Sequence, residues 1–312
     1  LNIMERKKVL ITGANGFLGK KLCNDLKTKG ILFNSILGAS SRKKNACDFS
    51  KNFDLSHFLK ETHTVVHCAG RAHVSEKNIK NKNLFYKINH EATEELARQA
   101  KDSGVKKFIL ISSAGVMGKI TDFPNKFSIR NEPKPYNDYT LSKLNGEKAL
   151  VSICRENKIN YTILRPPLVY GPDAPGNWKK LVNLLHYNLP LPLKGIKNKR
   201  SFVFIDNLVD LIIECIHSKD AINKTFLVSD NHDMSTSEFI DKIIEASKNK
   251  NRLFFFDKKK LLFIARILGR EITVEQLFNN MQLDISETID QLNWKPRYTP
   301  EEGIRLSIKK SL

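Results

Sequence analysis

No stretch of the 312 residues reaches the run of about 20 apolar side chains that a membrane-spanning helix requires, so no integral membrane contact is expected. Cysteine is sparse and scattered. The five, at positions 23, 47, 68, 154 and 215, include no Cys-x-x-Cys pair, which argues against a disulfide framework and for reduced thiols in a cytoplasmic protein. Leu1 to Lys8 carries no secretory hydrophobic region. His57, His63, His67, His73 and His90 lack metal-ligand spacing, and no metal is expected. Acidic residues are the short side of the charge balance, 33 against 52 basic, for a net charge of +19. The lysines are dispersed, and no helix-turn-helix, zinc-ligand or aromatic RNA-binding motif accompanies them, so no nucleic-acid partner is expected. Steering of an anionic substrate is the better use of the surplus.

What is present is an alternation of short apolar runs with helical segments. Runs at Val9 to Thr12, Ile31 to Leu37, Thr64 to His67, Lys107 to Ser112 and Tyr161 to Leu164 read as strands. Phe17 to Lys29, Phe53 to Lys60, Lys82 to Ser103 and Asn137 to Asn157 read as helices. This predicts an α/β fold, a doubly wound parallel sheet of Rossmann type, with a smaller mixed C-terminal lobe. A Rossmann domain is expected over 1–168 plus about 201–230, and a substrate lobe over about 169–200 plus 231–312. Ser201 to Ile205 and Lys224 to Val228 are expected to return to the sheet. Arg252 to Arg270 combines apolar and basic residues in a way that suits a membrane surface, but a buried strand and helix of the C-terminal lobe is the expectation.

Between the first strand and first helix stands Gly13-Ala14-Asn15-Gly16-Phe17-Leu18-Gly19. Such glycines permit a tight turn, close approach of backbone to a pyrophosphate, and close helix packing, so dinucleotide binding is expected. Tyr139 and Lys143 then stand at i and i+4 on one predicted helix, on one face, and suit proton transfer beside a hydride. An adjacent cation is expected to lower the phenol by about 1 to 3 pKa units.

Together, the Gly-x-x-Gly-x-x-Gly spacing and the Tyr-x-x-x-Lys pair resemble the extended short-chain dehydrogenase/reductase family, in particular its nucleotide-sugar 4-epimerases and 4-ketoreductases. His67-Cys68-Ala69-Gly70, Asn89, the run Phe108 to Val116, Arg165 to Pro172 and Arg200 to Val203 agree in order. The resemblance implies Tyr139 as acid-base residue, Lys143 as ribose ligand, and Ser113, over the neighbouring Ser112, as hydrogen-bond donor to the reacting oxygen. It assigns the cofactor Gly13, Asn15, Gly16, Phe17, Leu18, Gly19, Asp48, Phe49, Cys68, Ala69, Gly70, Asn89, Ser112, Tyr139, Lys143 and Pro166. The substrate receives Ser113, Asn177, Trp178 and Arg200. A UDP-sugar substrate, a nicotinamide cofactor and a homodimer are implied. The dimer would form through the helices Lys82 to Ser103 and Asn137 to Asn157, with Leu96, Ala100, Leu144 and Leu150 as apolar candidates.

Three departures bear on the chemistry. The second strand ends in Gly38-Ala39-Ser40-Ser41-Arg42 with no carboxylate, so Arg42 favours NADP(H) slightly over NAD(H). Met117 stands where 4-epimerases commonly carry tyrosine. No arginine lies between Thr273 and Asp284, where the family places one for phosphate, and Gln276 is the nearest polar candidate. The Arg165 to Pro172 phrase, with Leu189 to Leu193 and Arg200-Ser201, resembles a bacterial subgroup that includes UDP-N-acetyl-quinovosamine 4-ketoreductases. Reduction of a 4-keto sugar is therefore expected ahead of 4-epimerisation with retained NAD, and ahead of a non-catalytic NAD(P)-sensing protein.

Overall fold

The computed structural model describes residues 8–41, 43–72, 79–247 and 252–309. Arg42 and His73 lie outside them. Seven strands form one parallel sheet: β1 (Val9–Thr12), β2 (Phe33–Gly38), β3 (Ala46–Cys47), β4 (Thr64–His67), β5 (Lys107–Ile111), β6 (Asn160–Arg165) and β9 (Lys224–Leu227). Their spatial order is β3-β2-β1-β4-β5-β6-β9. The chain winds outward from β1 in one direction and from β4 in the other, so the strand order reverses between these two. In open α/β sheets ligands bind at that reversal, beyond the carboxyl ends of the strands. β1 and β4 are fully buried, as strands covered on both faces must be.

The helices are α1 (Phe17–Thr28), α2 (Ser56–Leu59), α3 (Ile79–Tyr86), α4 (Ala92–Asp102), α5 (Asp138–Glu156), α6 (Asn177–His186), α7 (Ile205–His217), α8 (Thr236–Ser247), α9 (Lys258–Ile267), α10 (Glu271–Gln276), α11 (Ser286–Leu292) and α12 (Pro300–Lys309). Val9, Ile11 and Leu22 join residues of α7 in a core on one face of the sheet, and Leu10, Val65, Leu96 and Leu150 share a core on the other.

Several boundaries differ from the sequence expectation for identifiable reasons. β2 begins at Phe33 because the Ile31 amide is used on Leu26 O at 2.9 Å, closing α1. Only Ser56–Leu59 of the second predicted helix forms, since Asp54 Oδ1 takes the Ser56 amide in a local turn. The long helix from Lys82 is broken by a π turn, Lys87–Glu91, which carries Asn89. β8 (Phe202–Phe204) does not return to the main sheet. It pairs in parallel with β7 (Leu168–Tyr170) in a separate two-stranded sheet, and the buried Asp230 carboxylate takes the Phe204 amide at 2.9 Å.

Two further expectations are corrected. Leu96, Ala100, Leu144 and Leu150 are all buried within the chain, because α4 and α5 use these faces to cover the protein's own cores. They are not available to a second subunit. The segment from Arg252 to Arg270 is also not a buried strand and helix: of α9 only Ala265 is buried, and Phe255, Phe263, Ile267 and Leu268 are exposed.

Candidate active site

The glycine loop is built where the strand order reverses. Gly13 has φ +67°, and a Cβ there would stand 2.7 Å from Ala69 N, at the end of the neighbouring β4. A Cβ at Gly19 would meet Gly13 O at 2.3 Å. Backbone therefore lines this crevice because nothing larger fits. Gly16 caps α1 with no side-chain bond, and the helix's first turn has no acidic residue, which leaves a positive helix end at the crevice. Asn15 holds the loop in place: its Oδ1 accepts from Gly38 N at 2.6 Å and its Nδ2 donates to Ser40 Oγ at 3.1 Å, tying the loop to the end of β2. Phe17 and Leu18 are half-buried and pack on the core.

The opposite wall comes from β4. Thr12 Oγ1 is hydrogen-bonded to His67 Nδ1 at 2.6 Å and accepts from Ala69 N at 3.3 Å. Burial drives His67 down to about 3, so it is neutral. Cys68 is pushed up to about 12 by burial and is a thiol, not a nucleophile. Asp48 is held below the usual carboxylate range by hydrogen bonds from Ser50. Phe49 is buried edge-on against Phe53 and His67.

Tyr139, Lys143 and Glu147 rise in order along α5 at successive i+4 positions. A capping box at Asn137 and Thr140 starts this helix, which sets its first turn beside the end of β5. There Ser113 caps a short 3₁₀ turn, Ala114–Met117, with Oγ accepting from Gly115 N at 3.1 Å. Pro166 O fixes that turn by accepting from Ala114 N at 2.8 Å. Burial raises the Tyr139 phenol above its ordinary value, and a hydrogen bond with Ser113 pulls it partly back. The expected lowering by Lys143 is not found. The Lys143 ammonium instead donates to Ile111 O at 2.9 Å, and a Cβ on Gly70 would meet it at 2.9 Å. Burial lowers Lys143 to about 8, against an opposing pull from Glu147.

Glu147 is a residue that sequence reasoning missed. Its buried carboxylate accepts from Arg165 Nε at 3.1 Å and Nη2 at 2.5 Å, and also from Ser112 Oγ. The three-residue link joins α5 to the ends of β5 and β6. It also separates the serine pair: Ser112 is turned into the Glu147 network, while Ser113 faces Tyr139. The signal was present, since Glu147 lies one turn beyond Lys143 on the same stripe. Arg165, the first residue of the family-like phrase Arg165 to Pro172, points inward, and its Nη1 lies 2.9 Å from Met117 Sδ.

Asn89 is buried and fully used inside the protein. Its Oδ1 accepts from Arg71 N at 2.9 Å, while Nδ2 donates to Arg71 O at 3.1 Å and Ser142 Oγ at 3.1 Å, pinning the loop after β4 to α5. On the substrate side, Asn177 is exposed at the start of α6. Trp178 corrects its expectation: the indole is 3% exposed and packs on Tyr170 and Phe239, so it serves the core. Arg200 Nη1 donates to Gln276 O at 2.6 Å and Asn279 O at 3.1 Å, bringing Gln276 to Arg200 by its backbone. Among the described residues no group of His, Cys, Asp and Glu is arranged to hold a metal.

A parallel sheet with reversed strand order, a glycine turn at the reversal and a Ser-Tyr-Lys constellation beside it define a Rossmann-type fold of the short-chain dehydrogenase/reductase class. Comparison with known proteins narrows this. Residues 9–229 match the NAD dependent epimerase/dehydratase family, and the chain belongs to that family. It is similar to a UDP-glucose 4-epimerase of Vibrio cholerae, 37% identical over 307 residues, or 96% of this chain and 94% of that protein. It is also similar to the dTDP-4-dehydro-6-deoxyglucose reductase of Escherichia coli, 26% identical over 326 residues and 96% of each chain. The fold matches UDP-glucuronic acid 4-epimerase from Bacillus cereus, solved in complex with NAD, with TM-score 0.77 at 20% identity over 97% of this chain and 96% of that one.

Proposed function

We propose that this protein performs hydride and proton transfer at C4 of a UDP-activated hexose or 2-acetamido sugar, in the direction of 4-keto reduction, in the synthesis of a cell-surface polysaccharide precursor. The observation that carries the reading is the pairing of Ser113 with Tyr139 beside a crevice that only backbone can line. A nicotinamide cofactor, when bound, supplies the hydride. The Gly13 to Gly19 loop would hold its pyrophosphate, and Asp48, Phe49 and the backbone of Cys68, Ala69 and Gly70 its adenosine and ribose side. Lys143 would hold the nicotinamide ribose.

Ser113 orients the 4-keto oxygen and Tyr139 gives it a proton. Burial keeps the phenol protonated at neutral pH, the form that reduction needs at its first step. Met117 supports the same direction. It lies buried against Arg165, so the place where 4-epimerases commonly present a tyrosine hydroxyl offers the sugar none. Asn177 and Arg200 are proposed to meet the diphosphate and uridine end, and Arg42 to select NADP(H). In Arg42→Asp the ratio of NADPH to NADH affinity should fall by at least about tenfold. An unchanged ratio removes that role.

The Vibrio cholerae relative favours a second reading, 4-epimerisation with retained NAD. Purified protein incubated with UDP-4-keto-6-deoxy-N-acetylglucosamine and NADPH or NADH, and separately with UDP-N-acetylglucosamine, separates the two. Consumption of reduced cofactor with the keto sugar supports reduction, and interconversion of C4 epimers without net cofactor change supports the second reading. Turnover of neither sugar would leave a cofactor-sensing protein as the better account. A homodimer through the outward sides of α4 and α5 belongs to the proposal, with Leu141 the apolar residue exposed there.

A further inference from the structure

Nine of the fourteen exposed large apolar side chains among the described residues fall in two short stretches, 184–189 and 254–268. The fold joins the stretches. Leu191 N donates to Arg252 O and Phe254 N to Leu191 O, each at 2.9 Å, and Lys194 N donates to Phe254 O at 3.1 Å. Tyr187 and Leu189 thus lead into one strand-like segment of this pair, and Phe255 lies on the other, 75% exposed. The chain then enters α9, which turns Ala265 and part of Leu261 inward. Phe263 and Ile267, one turn apart on the opposite side, are 66% and 71% exposed, with Leu268 beside them at 68%. Apolar exposure concentrated in this way marks a contact site rather than ordinary surface.

The charge around the patch identifies the contact. Residues 252–270 carry six basic side chains and one acid, Asp257. That carboxylate is already used, accepting from Lys260 N at the start of α9. Lys259 and Lys260 stand exposed at the edge of the apolar face, within a chain of net charge +19. A second copy would set cations against the same cations. Nucleic acid would suit the lysines but offers nothing to the aliphatic Ile267 and Leu268. A surface that is anionic outside and hydrocarbon beneath satisfies both components. We propose that this face docks the protein peripherally on an anionic phospholipid bilayer, with Phe255, Phe263, Ile267 and Leu268 entering the headgroup boundary and the lysines meeting the phosphates.

The test is flotation of the full chain with vesicles of phosphatidylcholine alone and of phosphatidylcholine mixed with phosphatidylglycerol. Binding to the mixed vesicles, weakened by salt, is expected. Phe263→Ser with Ile267→Ser should lower the partition coefficient at least about tenfold, because each removes a buried apolar side chain from the bound state. Lys259→Gln with Lys260→Gln should reduce binding to mixed vesicles and leave any residual binding to neutral ones unchanged. This second pair keeps the test sharp if the first alters folding. Failure to float with either vesicle, or binding that neither pair of substitutions changes, overturns the proposal. So does a mass by light scattering that falls by half in Phe263→Ser/Ile267→Ser relative to wild type, which would assign the face to a second copy.

Discussion

At the scale of single residues, two groups on one helix face have been moved in opposite directions by the same cause. Burial raises the Tyr139 phenol and lowers the Lys143 ammonium, since each is thereby pushed toward its neutral form. Tyr139→Phe should retain cofactor binding and lose turnover by about 10²-fold or more, measured with the keto sugar at neutral pH. Lys143 falls to about 8, so its charge is lost as pH rises through that value. Cofactor affinity should therefore weaken above about pH 8 in wild type and show no such step in Lys143→Met, which binds more weakly throughout; calorimetric titration across pH 6 to 10 would display the difference. Glu147 makes a third residue-scale prediction. Glu147→Gln leaves the Arg165 charge buried without its partner, at a cost of about 3 kcal/mol or more, whereas adding Arg165→Met should recover much of the loss. Denaturant unfolding of the two variants reads this directly, and a double variant no more stable than the single would exclude the ion pair as the cause.

At the scale of elements, the site depends on how closely α5 approaches the π turn. A Cβ on Gly146 would lie 2.2 Å from Asn89 O, so the helix can press against Lys87–Glu91 only through glycine. That contact holds Asn89 where it ties Arg71 and the loop after β4 to Ser142. Gly146→Ala gains helix propensity but must push the two elements apart. We expect net destabilisation of about 1 to 3 kcal/mol together with weaker cofactor binding, checked by unfolding and by titration. Stability unchanged or improved would mean that α5 yields without cost. An amphipathic pattern does not distinguish a π turn from an α turn, so the sequence from Lys82 to Ser103 reads as one unbroken helix.

At the scale of the whole molecule, acid sensitivity follows from a buried histidine. His67 titrates near 3 in the folded chain and near 6.5 when free, so between these values the unfolded chain binds the extra proton and stability falls as pH falls. The difference in unfolding free energy between wild type and His67→Gln should shrink by up to about 1.4 kcal/mol per pH unit from about pH 6.5 downward. A pH-independent difference would show that His67 is not the group responsible. No described helix is long and apolar enough to cross a membrane, and the lipid contact inferred for α9 is one of surface only.

The sequence by itself determined β1, β2, β4, β5, β6 and β9, the glycine turn and the Tyr139-Lys143 stripe, because these rest on local properties: apolar runs, a residue type with no Cβ, and a spacing of one helical turn. It also determined the family through the order of its motifs. Tertiary structure alone decided what each polar group faces. It turned Ser112 to Glu147 and Ser113 to Tyr139, drew Arg165 inward and sank Trp178 into an aromatic cluster. It sent Phe202–Phe204 to a second sheet and left the apolar face of α9 in water. Each outcome depends on partners tens of residues away, and burial, which sets both the pKa values and the exposed patch, exists only once those partners have met.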